Sequence, residues 1–230
     1  MIGKKKIEGF LHYRTDLGDG VRTGVVFGGC SEPCFENCAS FSFIPEHDFS
    51  EDTLELAEYS PEELVRYLKE EKVMYYAREV GVTLLGKEPL RDPFFCEELA
   101  KGLKECGISL QIITCGMCSM TAFERLVGLV DLYVLRVFPP FSPQDAGAVF
   151  DRSIQAKKVI SFFESHKTPY RILIPIQTAI SISDMEGFAE YLLKQKMIKS
   201  IMIDFCKADL SAKERAEIKA VFLKRKIPLY

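Results

Sequence analysis

Six times along the chain, a short apolar run is followed by an amphipathic stretch. Apolar runs of this length suit buried strands. Each intervening stretch is long enough to carry a helix back across a sheet, which demands parallel pairing. Strands are expected at about Val21 to Phe27, Val82 to Leu85, Leu110 to Ile113, Leu132 to Leu135, Tyr170 to Ile174 and Ile198 to Phe205. Two architectures satisfy this pattern, a doubly wound sheet and a curved partial barrel. In both, ligands bind at the carboxyl ends of the strands.

The helices carry their own punctuation. Ser60-Pro61-Glu62-Glu63 is a capping box with proline at the first helical position, and the face it opens carries Leu64, Tyr67 and Leu68, then Val73, Tyr76 and Val80. Asp92-Pro93 opens the next helix through Leu99 and Leu103, and Gly107 is placed to end it. A short helix is expected from about Thr121 to Leu129 and a longer one from Asp151 to Ser165. Ser183-Asp184-Met185-Glu186 reads as the capping box of a helix to about Lys194, and Ser211-Ala212-Lys213-Glu214 as that of the last. The chain is expected to form one domain over residues 1–230, with one long acidic loop at about 39–59. The lysines at 4, 5 and 6 read as a solvated end.

Three segments then fall on the carboxyl edge. Cys30, Cys34 and Cys38 follow the first strand at four-residue intervals, in a loop at about 28–40. Gly86-Lys87-Glu88-Pro89 follows the second, and Cys115-Gly116 the third. Three thiolates so close can cap one metal centre without saturating it, and soft sulfur favours an iron–sulfur cluster or zinc. A [4Fe–4S] cube held by three cysteines leaves one iron open to a substrate or cofactor. Cys115 and Cys118 form a lone Cys-x2-Cys with no second pair at matching distance, so they read as neutral thiols. Cys96, Cys106 and Cys206 read as small buried apolar residues.

Charge excludes some partners. A formal net charge of −3 offers no electrostatic case for nucleic acid. No apolar run approaches the roughly 18 residues of a membrane span, and the lysines near Met1 precede no apolar segment of a signal peptide. Eight cysteines without an export signal imply a reducing, cytoplasmic setting.

Taken in order, these motifs resemble the radical S-adenosylmethionine activating enzymes of glycyl-radical enzymes. Gly9-Phe10-Leu11-His12, Gly18-Asp19-Gly20-Val21-Arg22 and Phe27-Gly28-Gly29-Cys30 resemble that family's opening segments. Gly81-Val82-Thr83-Leu84-Leu85-Gly86-Lys87-Glu88-Pro89-Leu90 is similar to its Gly-Val-Thr-x-Ser-Gly-Gly-Glu-Pro-Leu. Thr114-Cys115-Gly116 stands where the family has Thr-Asn-Gly, Asp131 to Leu135 where it has Asp-Leu-Val-Leu-Leu, and Arg171 to Pro175 where it has Arg-Tyr-Val-Leu-Ile-Pro. The resemblance implies an α/β fold, a partial (β/α)6 barrel. It implies a [4Fe–4S] cluster on Cys30, Cys34 and Cys38, and S-adenosylmethionine bound through its ammonium to Gly86 and Glu88. Arg136 and Arg171 are expected on the carboxylate side. The implied activity is reductive cleavage of S-adenosylmethionine to a 5′-deoxyadenosyl radical, which installs a glycyl radical on a partner enzyme. A low-potential donor such as flavodoxin or ferredoxin would supply the electron.

The chain departs from that pattern in three places. Phe35-Glu36-Asn37 puts three residues between Cys34 and Cys38 where the family has two. Lys87 replaces the second glycine of Gly-Gly-Glu, and an ammonium pointed into that pocket would repel the ligand's own. Ile113 and Arg136 stand where the family supplies two aspartates to a cation, and Phe138 where it has a lysine. The Arg136 guanidinium either pairs directly with the carboxylate instead or points at another acidic group. These departures keep two other readings open: a radical enzyme that cleaves a different C–S bond or acts on another substrate, and a non-catalytic descendant that binds a cluster or a partner.

Overall fold

Helix and strand ends fall largely where local chemistry puts them. The computed structural model describes residues 3–28, 57–74, 80–138, 152–176, 180–205 and 209–230. Cys30, Cys34, Cys38, Cys206 and the acidic loop up to residue 56 lie outside the described residues. In chain order the elements are β1 (Lys5–Arg14), β2 (Val21–Phe27), β3 (Ala57–Tyr59), α1 (Pro61–Met74), β4 (Val80–Gly86), α2 (Pro93–Glu105) and β5 (Ser109–Thr114). There follow α3 (Met120–Arg125), β6 (Leu132–Arg136), α4 (Arg152–Ser165), β7 (Tyr170–Pro175), α5 (Ile182–Leu192), β8 (Ile198–Asp204) and α6 (Ala212–Leu223). No described helix is long and apolar enough to cross a membrane.

Both outer capping boxes close reciprocally. Ser60 N donates to Glu63 Oε2 at 2.8 Å while Glu63 N donates to Ser60 Oγ at 3.2 Å. Ser211 and Glu214 do the same for α6. Asp92 Oδ1 accepts from Phe95 N at 3.1 Å ahead of Pro93, and Gly107, at φ +63°, ends that helix. The expected box at Ser183 is corrected: the cap of α5 is Ser181, whose Oγ accepts from Asp184 N. Two serines spaced by two residues offer the same local signal, and the helix starts two residues earlier.

The described residues form two compact units, Met1–Thr114 with Cys118–Tyr133, and Cys115–Met117 with Val134–Tyr230. In the first, the strand order is β3-β1-β2-β4-β5. β2, β4 and β5 are parallel, as the alternation requires. β1 and β3 are antiparallel additions that the sequence pattern did not reveal. Lys4 and Lys6 are exposed, as expected, but the run also opens β1 with Lys5 and Lys6: Lys5 Nζ pairs with Asp92 Oδ2 at 2.8 Å, and Lys4 Nζ with Glu63 Oε1 at 2.9 Å. Leu64 and Leu68 of α1 and Phe95, Leu99 and Leu103 of α2 are fully or almost fully buried.

Arg22 stitches the amino ends of three strands. Its Nε donates to Thr83 Oγ1 at 2.7 Å, and its Nη2 to Val82 O at 2.6 Å and Ser109 O at 3.2 Å. It is 2% exposed, and burial pulls its pKa down to about 10. In the second unit the order is β6-β7-β8, with β7 and β8 parallel. Leu229 bridges to Ile201 beside β8, and Tyr230 N donates to Ile201 O at 2.9 Å.

Candidate active site

The parallel register brings Gly86, the last residue of β4, opposite Phe27, the last of β2. Gly86 has φ +100°, and a Cβ there would lie 2.5 Å from Phe27 O. Only glycine permits so close a backbone approach with that dihedral. Lys87 N then donates to Phe27 O at 3.0 Å. The turn after β4 is thereby anchored where the chain leaves β2 for the cysteine loop, and Gly28 N is itself held by Lys6 O at 3.2 Å.

Glu88 comes next and is 6% exposed. Its Oε1 accepts from Thr114 Oγ1 at 2.7 Å and from Leu90 N at 3.1 Å. The second bond caps a 3-10 turn, Pro89–Arg91, with proline in its first turn. Thr114 ends β5, so one carboxylate ties the ends of neighbouring strands together. Beneath the turn, the fully buried Cys96 donates its thiol to Pro89 O at 3.0 Å. Burial raises the Cys96 pKa, and the negative charges of Glu88 and Asp92 add to the shift. That thiol therefore stays protonated and serves packing, as the sequence suggests. Cys106 departs from the same expectation, standing half-buried at the C-cap of α2.

Lys87 points elsewhere. Its Nζ lies 3.8 Å from Glu8 Oε1. Glu8 stands on β1 where the register shifts between the Ile7–Phe27 and Gly9–Val26 pairs. A Cβ on Gly28 would fall 2.5 Å from Glu8 Oε1, so the glycine leaves room for that carboxylate. On the same edge a cavity of about 420 Å³ is lined by Phe27, Gly28, Glu88 and Pro89 together with Lys5 and Lys6.

In the second unit, Gly116 has φ +71° and fits between Leu135 and Val159, either of which a Cβ would approach to 3.2 Å. Gln155 Nε2 donates to Gly116 O at 2.9 Å from α4. Arg136 is the last residue of β6 and is 3% exposed. Arg171 is the second residue of β7, and its guanidinium lies 4.5 Å over the Tyr230 ring. The two arginines thus stand at opposite ends of their own strands, and Arg171 faces an aromatic partner. Cys115 and Cys118 are half-buried and are not in a disulfide. Ile113 is part of the buried core of β5.

The first unit therefore brings together Gly86, Lys87 and Glu88 beside the exit to the cysteine loop. The hydroxyl of Thr114 and the carboxylate of Glu8 join them unannounced by the sequence. Thr114 is visible only as one letter of a motif. Glu8 lies in a strand whose lysine-rich start concealed it.

No protein-family model matches the chain. It is 26% identical over 132 residues to the choline trimethylamine-lyase activating enzyme of Oleidesulfovibrio alaskensis, covering 56% of this chain and 43% of that protein. The match therefore spans less than half of the relative's length. Among solved structures, the chain is similar to Streptococcus suis SuiB bound to S-adenosylmethionine, with a TM-score of 0.58 at 18% identity over 76% of this chain and 42% of that one. SuiB bound to its precursor peptide SuiA gives a TM-score of 0.57 at 17% identity, over 75% and 42%. A domain of pyruvate-formate lyase-activating enzyme from Bacteroides vulgatus gives 0.54 at 16% identity, over 65% of this chain and 97% of that one. These likenesses bear out the expected α/β fold with its parallel strands.

Proposed function

We propose that this chain is a radical S-adenosylmethionine enzyme of the activating type, acting on a glycyl residue of a protein partner. The observation that carries the reading is the buried Glu88 carboxylate, fixed by Thr114 and Leu90 at the carboxyl edge beside the exit to the cysteine loop. A held carboxylate flanked by strand-end backbone suits a ligand ammonium, and three soft thiolates suit an iron–sulfur centre. The residues present therefore fit the two groups that this chemistry needs.

Cys30, Cys34 and Cys38 would hold a [4Fe–4S] cluster. When bound, the reduced cluster and S-adenosylmethionine supply one-electron cleavage of a sulfonium C–S bond, giving methionine and a 5′-deoxyadenosyl radical that takes a hydrogen atom from glycine. The electron comes from a low-potential flavodoxin or ferredoxin. The chain's own part is ligation and orientation. Gly86 brings the backbone to the edge, and Glu88 receives the ammonium. Arg136 is the proposed partner of the ligand carboxylate, replacing a cation with a planar, permanently charged fork. Arg171 has no part in the proposal, since its guanidinium is stacked on Tyr230.

The test is anaerobic reconstitution with iron and sulfide, reduction, addition of S-adenosylmethionine and identification of products by mass spectrometry. 5′-Deoxyadenosine supports the reading. Methylthioadenosine would assign cleavage of a different bond. No product from protein carrying about four irons per chain would assign a non-catalytic role. Arg136→Leu is expected to weaken S-adenosylmethionine binding, and unchanged affinity would remove Arg136 from the site.

A further inference from the structure

Lys87 puts a positive charge directly before Glu88 in the turn after β4, and its backbone amide is held in place. Lys87 N is bonded to Phe27 O at 3.0 Å, and Gly86 ahead of it is locked against the same residue. Only the side chain is left to decide where the charge goes. It goes toward Glu8, with Nζ 3.8 Å from Glu8 Oε1.

Three features of the first unit build that arrangement. Glu8 sits at a register shift in β1, the kind of irregularity that re-aims a side chain from its alternating direction. Gly28 has no side chain to occupy the space the carboxylate fills, since a Cβ would meet Glu8 Oε1 at 2.5 Å. Both partners are largely shielded, with side chains 30% and 21% exposed, so solvent screens them less than an open surface pair.

We infer that Glu8 is a positioning residue for Lys87, holding its ammonium on the β1 side so that it does not compete with the ligand for Glu88. This rests on the proposed function, in which Glu88 receives a ligand ammonium. It makes the two residues interdependent: losing Glu8 alone frees the ammonium, whereas losing both charges restores neutrality. Neither residue need touch the ligand.

The experiment compares the reconstituted full-length wild type with Glu8→Gln, Lys87→Met and the double variant, measuring S-adenosylmethionine dissociation constants at low and high ionic strength. Thermal melts of each variant check that the fold is kept. Glu8→Gln is expected to weaken binding about tenfold at low salt and less at high salt. Lys87→Met and the double variant are expected within about twofold of wild type. A Glu8→Gln protein that binds as wild type does, or a double variant as weak as Glu8→Gln, overturns this inference alone. A folded, cluster-loaded wild type that binds no S-adenosylmethionine overturns the proposed function and this inference with it.

Discussion

Thr114 Oγ1 donates a 2.7 Å hydrogen bond to Glu88 Oε1, joining the end of β5 to the turn that follows β4. Both residues are buried, Thr114 fully and Glu88 to within 6% of full burial. A hydroxyl bonded to a buried carboxylate contributes more than an exposed pair, because its removal leaves the charge undersolvated.

Thr114→Val keeps the shape and removes the donor. Its expected cost is about 1–3 kcal/mol of stability, read from urea denaturation. S-adenosylmethionine affinity of the reconstituted protein should also fall, and Thr114→Ser should recover most of both losses. Valine behaving as threonine does would show that Leu90 N alone suffices to hold Glu88.

Gly86→Ala introduces a Cβ 2.5 Å from Phe27 O at a dihedral that alanine disfavours. We expect a loss of about 2 kcal/mol or more. Faster hydrogen exchange should appear at the Lys87 amide, which Phe27 O now protects. An unchanged melting temperature would contradict the described path of the turn.

Arg22→Met removes the stitch at the opposite edge. Thr83 Oγ1, Val82 O and Ser109 O lose a donor in the interior, for an expected cost of about 3 kcal/mol. Binding by the fraction that remains folded should be unchanged, since Arg22 stands at the amino ends of the strands. A selective loss of binding at full stability would contradict this assignment.

Acid should loosen the protein through a few named carboxyls. The Ser60 amide, with Lys4, lowers the pKa of Glu63, and Ser211 lowers that of Glu214. Burial raises the Asp92 pKa, but Lys5 and the Phe95 amide outweigh it, and the net shift is downward. A folded pKa below the unfolded value gives stability that is fully present above about pH 5 and lost as pH falls through the folded values. The urea midpoint should therefore be flat across neutral pH and drop below about pH 5. A decline beginning near pH 6 would implicate other groups.

What the sequence made legible was local. A capping box such as Ser60–Glu63 or Ser211–Glu214 closes over four residues, and its two bonds can be anticipated from the letters alone. The same applies to Asp92-Pro93 and Gly107. The parallel strands follow from the lengths between apolar runs. What stayed hidden depends on distant pairing. β1 begins with solvated lysines, and nothing local announces the strand or the ion pairs with Asp92 and Glu63. Glu8 gains its meaning only from a register shift against β2 and from the absence of a side chain at Gly28. Lys87 looked like an obstacle because its neighbour across β2 was invisible.

The proposed function requires three cysteines and the Glu88 turn to act together in radical cleavage of S-adenosylmethionine. Its most direct test is a parallel single-turnover assay of reconstituted, reduced wild type and Cys34→Ala, counting 5′-deoxyadenosine per chain by mass spectrometry. Product is expected from wild type and none from Cys34→Ala, with the fold of both intact. Equal amounts from the two proteins, or none from cluster-loaded wild type, would contradict it.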